Sequence, residues 1–105
     1  MGIPRFIQER RSEVAALCER HRARKLELFG SATRADFQPE RSDLDFLVEW
    51  PDDFPPGGYA ASFFGLKQDL EILFARPVDL LTNGSIANPY LRQQVDSERL
   101  PLYGE

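Results

Sequence analysis

Asp43 and Asp45, one residue apart at the head of the apolar run Leu44-Asp45-Phe46-Leu47-Val48, are the residues from which chemistry in this chain would start. Alternate side chains of a strand share a face, so the two carboxylates project together while Leu44, Phe46 and Val48 take the other side. Ionised carboxylates held side by side repel, and a hard cation relieves the repulsion. Mg2+, which combines a few carboxylates with substrate phosphate oxygens, suits such a pair. Upstream, the apolar run from Leu26 to Phe29 stops at Gly30-Ser31. Gly30 allows the backbone to come close to a ligand. Ser31 is a favoured N-cap, and a short helix from Ala32 to Asp36 would then point free N–H groups at a triphosphate. Arg34, about one helical turn beyond Ser31, is either a phosphate contact or the ion-pair partner of Asp36 or a neighbour, and Arg41 is a weaker candidate for phosphate. Anion donors at one end and metal ligands at the other are what transfer of a phosphoryl-containing group requires. Taken singly, Gly-Ser is an ordinary turn and Ser-Asp-Leu-Asp an ordinary capped entry to a strand. The joint arrangement is what points to phosphate chemistry, because charges at the head of a buried strand are costly unless they work there.

Asp79 is a second informative carboxylate. Within Val78-Asp79-Leu80-Leu81 it would be expensive to bury alone, so it implies an open cleft or a metal and substrate nearby. An exposed aspartate on an edge strand is the simpler alternative.

These residues need elements to hold them. Phe6, Ile7, Val14, Leu17 and Cys18 recur at helical spacing, so residues 5–24 read as one helix, with Cys18 in the core and His21 extending the stripe. A strand follows over 25–29, then the Gly-Ser turn, a loop over 38–41 containing Pro39, and the Asp-x-Asp strand over 43–50, stopped by Pro51. Residues 52–58, with Pro55-Pro56-Gly57-Gly58, form a surface loop. Phe63, Leu66, Leu70, Leu73 and Phe74 mark a helix over 59–74 that covers the sheet, and a short strand follows over 78–81. Asn83-Gly84 is a turn. Asn88-Pro89 starts a helix running to about Glu98, with Leu91 and Val95 inward, and the apolar tail Leu100, Leu102, Tyr103 packs back on the domain. The expectation is a single domain over 1–105, α/β (α+β) in class, with a small mixed β-sheet flanked by about four helices in the order α-β-α-β-α-β-α.

Composition narrows the function classes. At 105 residues the chain has room for a modest core but not for a polymerase with additional lobes. No apolar run reaches membrane-spanning length and the N-terminus lacks a signal peptide's apolar segment, so the cytoplasm is the expected location. One cysteine and one histidine leave no internal disulfide and no Cys/His zinc site. Between Arg5 and Lys25, seven cationic residues face three glutamates, although the whole chain carries −4. A solvated helix face laced with i,i+4 pairs explains this better than nucleic-acid binding, since no aromatic residues interleave with the arginines.

The pattern Gly-Ser, eleven residues, Asp-x-Asp resembles the signature of the nucleotidyltransferase superfamily with the DNA polymerase β type of fold. At this length the chain resembles the minimal nucleotidyltransferases (MNT), commonly paired with HEPN-domain proteins in toxin–antitoxin modules. Leu28-Phe29-Gly30-Ser31, Arg34, Asp36 and Ser42 to Val48 match the family pattern. Ala35 departs from a usual glycine, and the Ser-to-Asp spacing is about one residue long. Arg76-Pro77-Val78-Asp79-Leu80 looks like the family's third-carboxylate segment. The resemblance implies a nucleotidyltransferase fold and transfer of AMP from ATP. Asp43, Asp45 and Asp79 would be the catalytic, metal-binding carboxylates for Mg2+, and Gly30, Ser31 and Arg34 the nucleotide-binding residues. It further implies an antitoxin whose acceptor is a hydroxyl, such as a tyrosine, on a HEPN toxin, an RNase. A long nucleic acid is not expected as substrate, because the body of the chain is acidic. Two other readings remain open: a non-catalytic module that masks its partner, and transfer to a small-molecule hydroxyl.

Overall fold

In the computed structural model, which describes residues 2–34, 43–54 and 58–104, the N-terminal apolar stripe folds as two helices rather than one. These are α1 (Arg5–Gln8) and α2 (Arg11–Arg20). Arg10, with φ −106° and ψ 13°, leaves the helix and then starts α2 by accepting the Val14 N–H through its carbonyl. Periodicity reports a stripe, not its interruption. Ile7, Val14 and Cys18 all reach the core across the break, and neither Glu9 nor Arg10 is a turn-forming residue that would signal it. Burial, and then the neighbouring Glu19 charge, push the Cys18 thiol up to about 12, so it is inert packing. Arg22 sits in the left-handed region at φ 62° and turns the chain into β1 (Lys25–Phe29), so the helix ends four residues earlier than expected.

The carboxylate strand is β2 (Leu44–Glu49), the covering helix is α3 (Ala60–Phe74), and β3 (Val78–Thr82) follows. Asn88 caps α4 (Pro89–Glu98), its Oδ1 accepting the N–H groups of Tyr90 and Leu91 at 2.9 and 3.3 Å. The tail does pack back, but as a fourth strand, β4 (Leu100–Tyr103), so the element order ends in β rather than α. Pro101 made a strand hard to see there, yet proline is tolerated on an edge strand. The sheet order is β3-β2-β1-β4, with β1 antiparallel to β2 and to β4 and β2 parallel to β3, the crossover being made by α3. This is the mixed α/β arrangement expected.

Both faces of the sheet are covered. Leu26, Leu28, Leu44, Phe46, Val48, Val78 and Leu80 meet Ile7, Val14, Cys18, Leu66, Leu70 and Phe74 from the first three helices. Each fully buried side chain of this kind contributes roughly 1.5–3 kcal/mol. On the opposite face Phe29 and Leu47 pack against Val95 of α4, with Leu81 and Ile86 beside them. Leu47 is therefore as buried as its neighbours, although it shares its side of β2 with Asp45. Leu91 of α4 is 37% exposed and does not point inward as its spacing suggested. Of the surface loop, residues 55–57 lie outside the described residues, as do Ala35, Asp36, the 38–41 loop with Arg41, and Ser42.

Candidate active site

Strand register assembles the carboxylates. Asp45 lies opposite Phe29, the last residue of β1, and in the parallel ladder opposite Asp79, the second residue of β3. Paired residues in neighbouring strands project to the same face, so Asp45 and Asp79 stand side by side on the α4 face, where β1 ends and β2 and β3 begin. The two carboxyls share a hydrogen bond. Burial first, then the Asp79 charge and that hydrogen bond, and after them Asp43 and Glu98, push Asp45 up from the ordinary aspartate range to about 6. Asp43, one residue before β2, is exposed. Asp79 is exposed on an edge strand, in register with Asp45.

Among the described residues no three ligand side chains converge on a single point. The donors are nonetheless carboxylate oxygens, and Asp45 and Asp79 stand side by side where a divalent cation would satisfy both. The set fits Mg2+ by hardness and charge.

Gly30 is required for a reason the sequence did not reveal. Its φ is +76°, and a Cβ there would lie 2.1 Å from Asp45 Oδ2. The close approach is to the Asp45 carboxylate. Residues Gly30–Thr33 form a short 3-10 helix closed by the Thr33 hydroxyl donating to the Gly30 carbonyl at 2.7 Å. Phe29, not Ser31, occupies the capping position, so Ser31 lies within the turn instead of starting it. The backbone must leave β1 at once to clear Asp45, which puts the helical turn two residues earlier than a Ser31 cap would. Arg34 ends this segment, its guanidinium donating to Glu98 Oε2, while the Gly30 N–H donates to Glu98 Oε1 at 3.1 Å.

Glu98 is the site residue that the motif reading missed. It is the last residue of α4, sixty-eight positions from Gly30, in a local Ser-Glu-Arg context with no distinguishing pattern. A larger hollow of about 440 Å³, lined by Trp50, Phe54, Tyr59 and Asn83, lies at the opposite end of β2 and β3 and does not include the carboxylates. His21 is structural: its Nε2 lies 2.6 Å from Asp69 Oδ2 on α3, with its ring against Gly65.

A family model described as the nucleotidyltransferase domain matches residues 12–102. A protein of Methanocaldococcus jannaschii assigned as a protein adenylyltransferase is 34% identical over 82 residues, which is 78% of this chain and 79% of that protein. A solved structure assigned as a minimal nucleotidyltransferase superposes with a TM-score of 0.69 at 37% identity, covering 92% of this chain and 93% of that one. The structure of a tri-AMPylated Shewanella oneidensis HEPN toxin in complex with MNT antitoxin contains a chain that superposes with a TM-score of 0.65. At 24% identity, covering 94% of this chain and 73% of that one, this likeness concerns the fold.

Proposed function

The chain belongs to the nucleotidyltransferase domain family, and from that premise we propose that it transfers AMP from ATP to a hydroxyl on a protein partner, a HEPN-family RNase toxin that it thereby silences as an antitoxin. The observation that carries the reading is the in-register pairing of Asp45 with Asp79 beside Gly30, which sets two carboxylates and a donor-bearing turn at one end of the sheet. Asp43, Asp45 and Asp79 would hold Mg2+, which when bound neutralises phosphate oxygens and stabilises the charge that develops during transfer. The Gly30 N–H, Ser31 and Arg34 would hold the terminal phosphates and so orient the α-phosphorus. The acceptor oxygen attacks that phosphorus, the bond to the bridging oxygen of the β-phosphate breaks, and pyrophosphate leaves. Asp79, exposed on the edge strand where a bulky acceptor can reach it, would take the acceptor's proton.

A protein acceptor is favoured by the likeness to the Methanocaldococcus protein adenylyltransferase. The HEPN identity is favoured by the MNT antitoxin of Shewanella oneidensis, whose structure was solved with a tri-AMPylated HEPN toxin. Intact-mass spectrometry of a HEPN partner incubated with this protein, ATP and Mg2+ tests the proposal. Added AMP on the partner is expected, and loss of at least 10³-fold in rate in Asp43→Asn/Asp45→Asn. A stable complex that silences the partner without any mass gain would mean masking, and transfer to small hydroxylated compounds alone would move the acceptor to that class.

A further inference from the structure

We infer that Glu98 is a built-in anion that occupies the position of the nucleotide's terminal phosphates and must be displaced for the triphosphate to bind. The inference rests on the reading of Gly30 and Arg34 as phosphate contacts. Both are already engaged by one carboxylate: Glu98 Oε1 accepts the Gly30 N–H at 3.1 Å, and Oε2 accepts from the Arg34 guanidinium. Two oxygens of one planar anion, bridging a backbone N–H and a guanidinium, reproduce the contacts a phosphate would make. Apart from those contacts the placement is electrostatically unfavourable, because Glu98 adds a fourth negative charge to Asp43, Asp45 and Asp79.

The surrounding structure leaves Glu98 free to leave without unfolding anything. Its backbone is fixed, since the next residue, Arg99, is tied to Glu27 of β1 and to Asp96 of α4. The side chain has three rotatable bonds, and a hollow of about 280 Å³ lined by Thr33, Arg34, Ser97, Glu98 and Leu100 lies beside it. A rotamer change would therefore clear the phosphate position. Glu98 is thus an affinity-setting residue: without nucleotide it keeps the donor-bearing turn assembled, and with nucleotide it competes for the same donors.

Titration calorimetry with adenosine 5′-(β,γ-imido)triphosphate and with AMP, both in Mg2+, tests this in the full chain. Glu98→Gln, which keeps the shape and removes the charge, is expected to bind the triphosphate analogue roughly tenfold tighter while AMP binding stays unchanged, the change expected when one charge-assisted contact no longer has to be broken. Glu98→Asp, too short to span both partners, should tighten binding in the same direction. Weaker or unchanged binding in both variants overturns the inference and makes Glu98 a support for the turn. Arg34→Ala separates this from the underlying reading: it should weaken the triphosphate analogue. Were it to leave affinity untouched, Gly30 and Arg34 would not be phosphate contacts, and the inference would fall with them.

Discussion

Asp45 is held half-buried beside Asp79, and the strain of that placement is electrostatic. An unfolded chain releases the aspartate proton near pH 4, whereas the folded protein releases it near 6. Between those values the folded state binds more protons. The stability contributed here is therefore complete below about pH 4 and lost as pH rises through 6. Discounted for the group's partial contact with water, the loss is about 1 kcal/mol. In metal-free buffer at pH 7.5, Asp45→Asn should therefore melt roughly 4–8 °C above the wild type, and at pH 4 the two should coincide. Adding Mg2+ at pH 7.5 should raise the melting temperature of the wild type and leave the variant unmoved. An advantage of equal size at both pH values would show that the Asp45 charge, penalised by burial and by Asp79, is not the cause.

At the scale of elements, the joint between α4 and β4 is fixed by a buried ion pair. Glu27 of β1 is 4% exposed and accepts from Arg99 through Nε at 3.1 Å and through a terminal nitrogen, with Lys25 Nζ 3.9 Å away. Arg99 is held further above its ordinary range, chiefly by that hydrogen bond, and also bonds Asp96 at 2.9 Å. Removing one partner of a buried pair leaves the other uncompensated. Arg99→Leu should accordingly cost about 3 kcal/mol in urea unfolding, while Glu27→Gln/Arg99→Leu should recover most of it. A double variant no more stable than the single one would assign the loss to packing instead. The same joint places Glu98 against the Gly30–Thr33 turn, so this structural pair also fixes the Glu98 contacts with Gly30 and Arg34. Between α2 and α3, the His21–Asp69 contact has an analogous role: it holds Asp69 below the ordinary carboxylate range, and Gly65 leaves room for the ring.

On the scale of the whole molecule, the basic N-terminal segment is neutralised by the acidic body and by its own helix. Arg20 pairs with Asp69, Arg22 with Asp53 and Arg24 with Glu49, while Arg5–Glu9 and Arg10–Glu13 pair locally. Exposed pairs of this kind contribute little each, but they account for the segment's charge without a nucleic acid. β4 closes the sheet against β1 and is also tied to α2 by Arg11 donating to the Leu102 carbonyl at 3.2 Å. A chain ending at Arg99 would expose the β1 edge and uncover Leu26 and Leu28. Loss of near-UV circular dichroism and of cooperative unfolding is expected on that truncation. A truncated chain that melts cooperatively at the wild-type temperature would show β4 to be ornamental.

The sequence by itself determined the nucleotidyltransferase family and most of the elements. Asp43, Asp45, Gly30 and Asp79 carried their signal locally, because a carboxylate in an apolar strand and a glycine at a strand end are anomalies that need no knowledge of the fold. Helical periodicity and the Asn-Pro cap placed α3 and α4 for the same reason. What only the tertiary structure decided depends on contacts between residues far apart in the chain. Strand register puts Asp45 beside Asp79, and that register follows from the pairing of three segments, not from any one of them. Pro101 concealed β4 because its fit depends on lying at the sheet's edge. Glu98 had no local mark at all. Its contacts arise because α4 ends beside the turn after β1, bringing an ordinary glutamate to the Gly30 N–H and the Arg34 guanidinium.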